Sequence, residues 1–175
     1  MGIHVKAVDR SDWVGKLAAA SRLDEIYMSD TLSMVVNVMK HLRSNAPYSR
    51  VCAPGYAQTA RISRLDIVDH GSEVHVSIGT DKITVTNFDL QFRAILLPLA
   101  LHFDKNGFAH LQNCNAGANV PLLEKFADTW GVPVVAGKGS DVELGVTQIN
   151  MDKYVRVYPA AGNGRPKHDT FRWRP

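Results

Sequence analysis

The chain has no uninterrupted apolar run of the ~18 residues that a membrane-spanning helix needs, and "MGIHVKAVDRSDWVGKLAAASRL" at its start lacks the continuous apolar core of a secretory signal. Neither a membrane span nor Sec export is indicated, so the expected location is cytoplasmic, or outside the cell by a route without a Sec signal. Only two cysteines are present, Cys52 and Cys114, with no CxxC pair, so they read as two thiols in a reducing compartment rather than a disulfide framework. A dense basic stripe is also missing. The formal net charge is +3 over 175 residues, which argues against nucleic acid as the default partner. There is no internal repeat and no low-complexity tract.

What remains is an ordinary globular composition, 45% hydrophobic and 21% charged, long enough for one domain with a real core. From Ser29, "SDTLSMVVNVMKHLRSN" places Leu32, Val35, Val36, Met39 and Leu42 at helical spacing, with Ser29 or Asp30 as N-cap. "APYSRVCAPGYAQTA" then reads as a loop. "RISRLDIVDH" is the first strong strand, and its nearly continuous apolar end suggests burial on both faces, as in a parallel sheet. Val74, Val76 and Ile78 alternate with polar residues, and Gly79-Thr80-Asp81 separates them from Ile83 and Val85, which predicts a hairpin with one wet face.

A helix follows, with Phe88, Phe92, Ile95, Leu96, Leu99 and Phe103 on one face, kinked or shortened by Pro98 and closed by Asn106-Gly107. "FAHLQNC" is a second strand, "NVPLLEKFADTW" a second crossover helix and "VPVVAG" a third strand. This alternation predicts an α/β three-layer sandwich with a mainly parallel sheet and a hairpin insertion after the histidine strand. The whole chain, 1–175, reads as one domain. Its core lies at about 29–139, and "VELGVTQIN" with "YVRVYP" forms a terminal hairpin before a basic tail carrying Arg165, Lys167, Arg172 and Arg174.

If the strands ending at Val68 and Asn113 lie side by side and parallel, their carboxyl ends open on one sheet edge, where ligands gather in such sheets. His70 and Cys114 then face one crevice. A thiol beside an imidazole can ionise and attack a carbonyl carbon, and the histidine can protonate the departing amine. Gly71, without a β-carbon, lets a backbone N–H approach the developing oxyanion, and the Cys114 amide is a second candidate donor. The small-residue loop Asn115 to Asn119 would set the thiol near the positive end of the next helix.

These residues resemble a known group. "RLDIVDHG", "VSIGTDKIT", "GFAHLQNCNAG" and "LLEKFADTWGVPVVAGKG" are similar to the caspase-like fold of cysteine peptidases, which includes caspases, metacaspases, gingipains, clostripain, CHAT domains and toxin autoprocessing domains. The nearest likeness is to a bacterial caspase-like family found alone or within large surface proteins, and it spans roughly Ile62 to Gly139. The resemblance implies that His70 is the general acid/base and Cys114 the nucleophile. Asn113 stands before Cys114 where many active relatives carry an acid, so Arg/Lys specificity is not supported. The Gln-Ala-Cys signature of caspases is absent, so Asp-directed cleavage is unsupported as well.

Asp69 is adjacent to His70 along the strand and points to the other face, so a structural role is expected of it before a third catalytic one. Zinc held by His70, His75 and Cys114 is disfavoured by the spacing and by the lack of a second nearby cysteine, and no cofactor is called for. "AGKGSD" lacks the full phosphate-loop pattern and reads as a turn lining a specificity pocket. Asp69, Asn113, Asn115 and Lys138 are the candidate lining of that pocket. The other histidines, His4, His41, His102, His110 and His168, read as surface or satisfied positions, and Trp130, Phe171 and Trp173 as packing anchors.

The leading expectation is a cysteine endopeptidase or autoprocessing domain acting on a peptide or protein substrate through an acyl-enzyme. The alternative, of another class, is a catalytically silent interaction module that binds a protein partner or an anion through the basic C-terminal segment. A toxin-type domain triggered by a polyanion such as inositol hexakisphosphate combines the two.

Overall fold

A computed structural model describes residues 2–9, 25–45, 60–139, 142–144, 147–149, 153–160 and 168–172. The chain opens with two strands, β1 (Gly2–Asp9) and β2 (Glu25–Met28), followed by helix α1 (Thr31–Ser44). Strand β3 (Arg61–Val68) leads into the hairpin of β4 (Val76–Ile78) and β5 (Asp81–Ile83). A helical stretch then changes pitch twice, from a π turn at Phe88–Phe92 through α2 (Arg93–Leu96) to a 3-10 segment at Leu97–His102. Strand β6 (Phe103–Gln112), a 3-10 turn at Ala116–Ala118, helix α3 (Val120–Trp130) and β7 (Val134–Gly137) complete the middle of the chain. Beyond it lie a separate hairpin, β8 (Val142–Leu144) with β9 (Thr147–Ile149), then β10 (Tyr154–Val157) and β11 (His168–Phe171).

Seven strands form one sheet in the order β2-β1-β3-β6-β7-β10-β11. The pairs from β2 to β7 are all parallel, and β10 and β11 are added antiparallel. The fold is therefore α/β with a mostly parallel sheet. β3 is the central strand of the five parallel ones, and its last four residues, Leu65 to Val68, are all buried, as the nearly continuous apolar end of the segment predicts.

Register explains which face receives the helices. Val5, Leu65, Ala109, Val134 and Val157 form one row across the sheet, and Ala7, Ile67, Leu111, Ala136 and Val155 form another. Side chains two apart on a strand share a face, so both rows look the same way. They belong to one core with Met34, Val38 and Leu42 of α1 and with Leu122, Leu123 and Phe126 of α3. Trp130 closes this layer, its ring tilted at 41° against Phe126 and its indole N–H donating to Leu96 O at 3.1 Å.

The opposite face carries a row of charge. Glu25, Lys6, Asp66 and His110 are successive partners across β2, β1, β3 and β6, and Arg156 and Asp169 continue the row beyond Val135. Lys6 and Glu25 pair at 3.2 Å with both side chains almost wholly buried. Asp66 receives His4 Nε2 at 2.7 Å and Arg64 Nε at 2.7 Å, and His110 Nδ1 stands 3.5 Å away. His110 is thus a buried histidine rather than a surface one, its contacts with Asp66, Arg64 and Gln112 made through Nδ1 while the buried Nε2 has no hydrogen-bond partner among the described residues.

Several expectations change. β1 and β2 precede Arg61–Val68 in the sheet, and the core accordingly begins before residue 29, with Val5, Ala7, Ile26 and Met28. Asn106-Gly107 does not cap a helix: it lies inside β6, where the pairing with β3 jumps from Ile62↔Phe103 to Arg64↔Phe108. A β-carbon at Gly107 would stand 2.6 Å from Ile62 O, so glycine is what lets the two backbones meet there. The helix does give way at Leu97-Pro98, since proline lacks the N–H that an α-helical bond needs. β10 joins the main sheet instead of pairing with 142–149, and β4 has no wet face, because Ser77 is buried between Val76 and Ile78. Phe171 packs against Tyr154 and under the Arg156 guanidinium, while Trp173, Arg165, Lys167 and Arg174 lie outside the described residues, as does Cys52.

Burial alone would raise the Asp66 carboxyl, but the donors of His110, His4 and Arg64 overcome it and hold the group well below the usual carboxylate range. A folded-state value below the unfolded one contributes stability above about pH 4 that is lost as the pH falls further. Asp66→Asn is expected to cost on the order of 3 kcal/mol at neutral pH and much less near pH 2, with urea titrations of both proteins at the two pH values as the check. An equal loss at both would contradict this electrostatic account.

Candidate functional site at the carboxyl edge of the sheet

The pairing of β3 with β6 runs in unbroken register from Arg64↔Phe108 to Val68↔Gln112. Both strands therefore reach the same edge one residue before Asp69 and Asn113 and two before His70 and Cys114. His70 is exposed and Cys114 half-buried. The two segments touch through main chain: a β-carbon built on Gly71 would lie 2.7 Å from Asn113 Cβ and 3.1 Å from the Cys114 carbonyl oxygen. Glycine at 71 is the condition for this closeness.

After His70 the chain turns back on itself. Ser77 N–H donates to His70 O at 3.0 Å and Ser72 N–H to His75 O at 2.9 Å, which leaves Gly71 opposite Val76 in an isolated antiparallel bridge. Because the ladder bonds on either side belong to His70 and Ser72, the Gly71 N–H points away from β4. Gly79 opens the hairpin loop with φ +60°, a conformation that favours glycine, and its N–H reaches Asp69 Oδ2 at 2.6 Å. Thr80 N–H donates to Ser29 O at 2.8 Å, and Asp81 Oδ2 accepts from the Thr31 N–H at 2.8 Å. The hairpin is thereby fastened to the first turn of α1.

Asp69 and Asn113, neighbours at adjacent strand ends, face the hairpin. Asp69 Oδ1 accepts the His70 N–H at 2.6 Å, and the buried Asn113 Nδ2 donates to His70 O at 2.7 Å and Ser77 O at 3.0 Å. Burial in the rim pushes the Asp69 carboxyl up to about 6, against the pull of the His70 and Gly79 N–H groups and with a further push from Asp9 at the end of β1. Asp69 thus bonds main chain on both of its oxygens. Sequence reasoning passed over Asp9, although Val5 and Ala7 alternating with His4 and Lys6 held the signal for the strand that delivers it.

On the far side of Cys114 the backbone enters the left-handed region at Asn115, φ 58°, and Asn115 N–H donates to Gly139 O at 2.8 Å. This bond sets the exposed Lys138 beside the cysteine loop, so Asn115 and Lys138 share the rim with His70. Gly117 lets the 3-10 turn settle on the end of β7, where a β-carbon would stand 2.6 Å from Ala136 O. Helix α3 begins only at Val120, capped by Asn119, whose Oδ1 accepts the Leu122 N–H at 3.3 Å. The expected benefit of its dipole to the thiol is therefore weak, since that field fades within the first turn. His75, disfavoured as a zinc ligand on spacing, holds Ser72 Oγ at 2.8 Å through Nδ1.

A cleft of about 330 Å³ opens between Asp9, Tyr27, Met28, Ser29, Ser33, Asn37 and Thr80, and its described lining includes neither His70 nor Cys114. It lies at the ends of β1 and β2, on the same edge as the histidine and the cysteine. No family model matches the sequence, and no curated protein matches it significantly. What the edge can do follows from its chemistry: a half-buried thiol and an exposed imidazole are carried by adjacent strand ends whose main chains meet at Gly71.

Gly71→Ala is expected to force the His70 loop away from Cys114, since the new methyl group meets Asn113 Cβ and a main-chain carbonyl. Disulfide trapping between paired cysteines at positions 70 and 114 should form readily in the parent chain and at least about tenfold more slowly in the Gly71→Ala background, given how steeply encounter depends on placement. Equal trapping would show that the close approach is not held by glycine.

Proposed function

We propose that the chain is a cysteine endopeptidase or autoprocessing domain with a caspase-like three-layer α/β fold, using Cys114 as nucleophile and His70 as general acid/base. The observation that carries this reading is the main-chain contact between Gly71 and the Asn113-Cys114 segment, at the ends of two adjacent parallel strands. The chain order supports it too: histidine strand, hairpin with a glycine turn, helical stretch, cysteine strand, as in the family the sequence resembles.

In this mechanism the thiol proton passes to His70 and the sulfur attacks the scissile carbonyl carbon, forming the S–C bond. The negative charge gathers on the carbonyl oxygen, where the Gly71 and Cys114 N–H groups are the donors assigned to it. As the intermediate collapses, the C–N bond breaks and His70 gives its proton to the departing amine. A water then loses a proton to His70 and attacks the thioester, releasing the acid and restoring the thiol.

Incubation of the wild-type chain with a peptide library is expected to yield a defined set of cleavages, reduced roughly a thousandfold or more in Cys114→Ala and in His70→Ala. Identical profiles for wild type and Cys114→Ala would remove the peptidase assignment. The catalytically silent module would then be the surviving reading.

A further inference from the structure

We propose that Asn113 and Asp69 are positioning residues that hold the His70 peptide from both ends and so set the imidazole over Cys114; this rests on the reading of His70 and Cys114 as the reacting pair. An exposed histidine at a strand end has two rotatable side-chain torsions and a mobile backbone unless something fixes it. Here the His70 N–H is taken by Asp69 and its C=O by Asn113, at 2.6 and 2.7 Å. The same two side chains reach the hairpin, Asp69 at Gly79 and Asn113 at Ser77. The pair therefore ties the histidine peptide and the hairpin to the ends of β3 and β6 as one unit.

The identity of each side chain fits the task. Two carbonyl oxygens converge on Asn113, and only a donor can satisfy both; an aspartate there would turn oxygen against oxygen. Two N–H groups converge on Asp69, and only a group with two acceptor atoms can take both. Asn113 is wholly buried, yet its Oδ1 has no hydrogen-bond partner among the described residues. Leaving a buried acceptor unpaired is unfavourable, so an apolar residue would serve mere packing better. What the asparagine supplies in return is the pair of bonds from Nδ2. The role also differs from a lining of the substrate pocket, because a buried amide with its donors engaged has little left to offer a ligand.

The test is the pH profile of iodoacetamide alkylation at Cys114, read by peptide mapping between pH 5 and 9 and normalised to the folded fraction from circular dichroism. His70→Ala serves as reference for a cysteine without its partner. Asn113→Ala and Asp69→Asn are expected to slow alkylation roughly tenfold at neutral pH and to move the profile toward that of His70→Ala, as misplacement of a reacting group does. Should Asn113→Ala not fold, Asp69→Asn, which keeps shape and one acceptor, gives the same reading. A side chain that only stabilises the fold would lower the melting temperature and leave the midpoint of the profile unchanged. If His70→Ala shifts the profile while both other variants keep that of the wild type, the positioning role falls and the dyad stands. If His70→Ala also keeps the wild-type profile, the dyad itself is wrong and the positioning role goes with it.

Discussion

The parallel pairing of β3 with β6 is the constraint on which the remaining geometry depends. Parallel neighbours must end on the same edge, and an unbroken register fixes how far each has advanced when it gets there. Val68 opposite Gln112 leaves the next residues, Asp69 and Asn113, together, and brings the main chains of Gly71 and Cys114 into contact. The hairpin after β3 adds the second requirement. It folds back over the rim, engages Asp69 and Asn113, and reaches Ser29 at the head of α1.

Two kinds of burial support this frame. On one face, apolar rows merge with α1 and α3 into a single core, where shape and volume set the packing. On the other, Glu25, Lys6 and Asp66 are buried side by side in the same row as His110, tolerable because Lys6 pairs with Glu25 and Asp66 with Arg64 and His4. Asp69 is under a different regime. Its two oxygens serve main-chain donors, and its charge is opposed by the rim around it and by Asp9.

The centre of the fold was legible because β3, β6, β7 and α3 announce themselves by apolar runs and clear stops at His70-Gly71, Cys114 and Gly131. The juxtaposition at the edge could be read from chain order alone, since crossovers force parallel neighbours. β1 and β2 were not legible: "EIYM" is short and holds a buried glutamate, and Lys6 in "IHVKAVD" looks like a surface position until its partner is known. The same limit hid the bonds around His70. Asp69 and Asn113 have meaning only when the hairpin returns over them, and no spacing in the sequence states that it does. Asn106-Gly107 misled for a related reason, as a turn signal that here marks an irregular step within a strand.

The charged row across the sheet also constrains how strands can assemble. A slip of one residue between β1 and β3 would rotate Lys6 into the hydrocarbon layer beneath α1 and leave Asp66 facing an aliphatic side chain, a penalty that purely apolar rows would not impose. Misaligned pairings are thereby disfavoured, while the native alignment brings Lys6 to Glu25 and Asp66 to Arg64 and His4. Since His70 and Cys114 project from the ends of strands aligned in this way, proofreading in the sheet interior also secures the spacing at its rim.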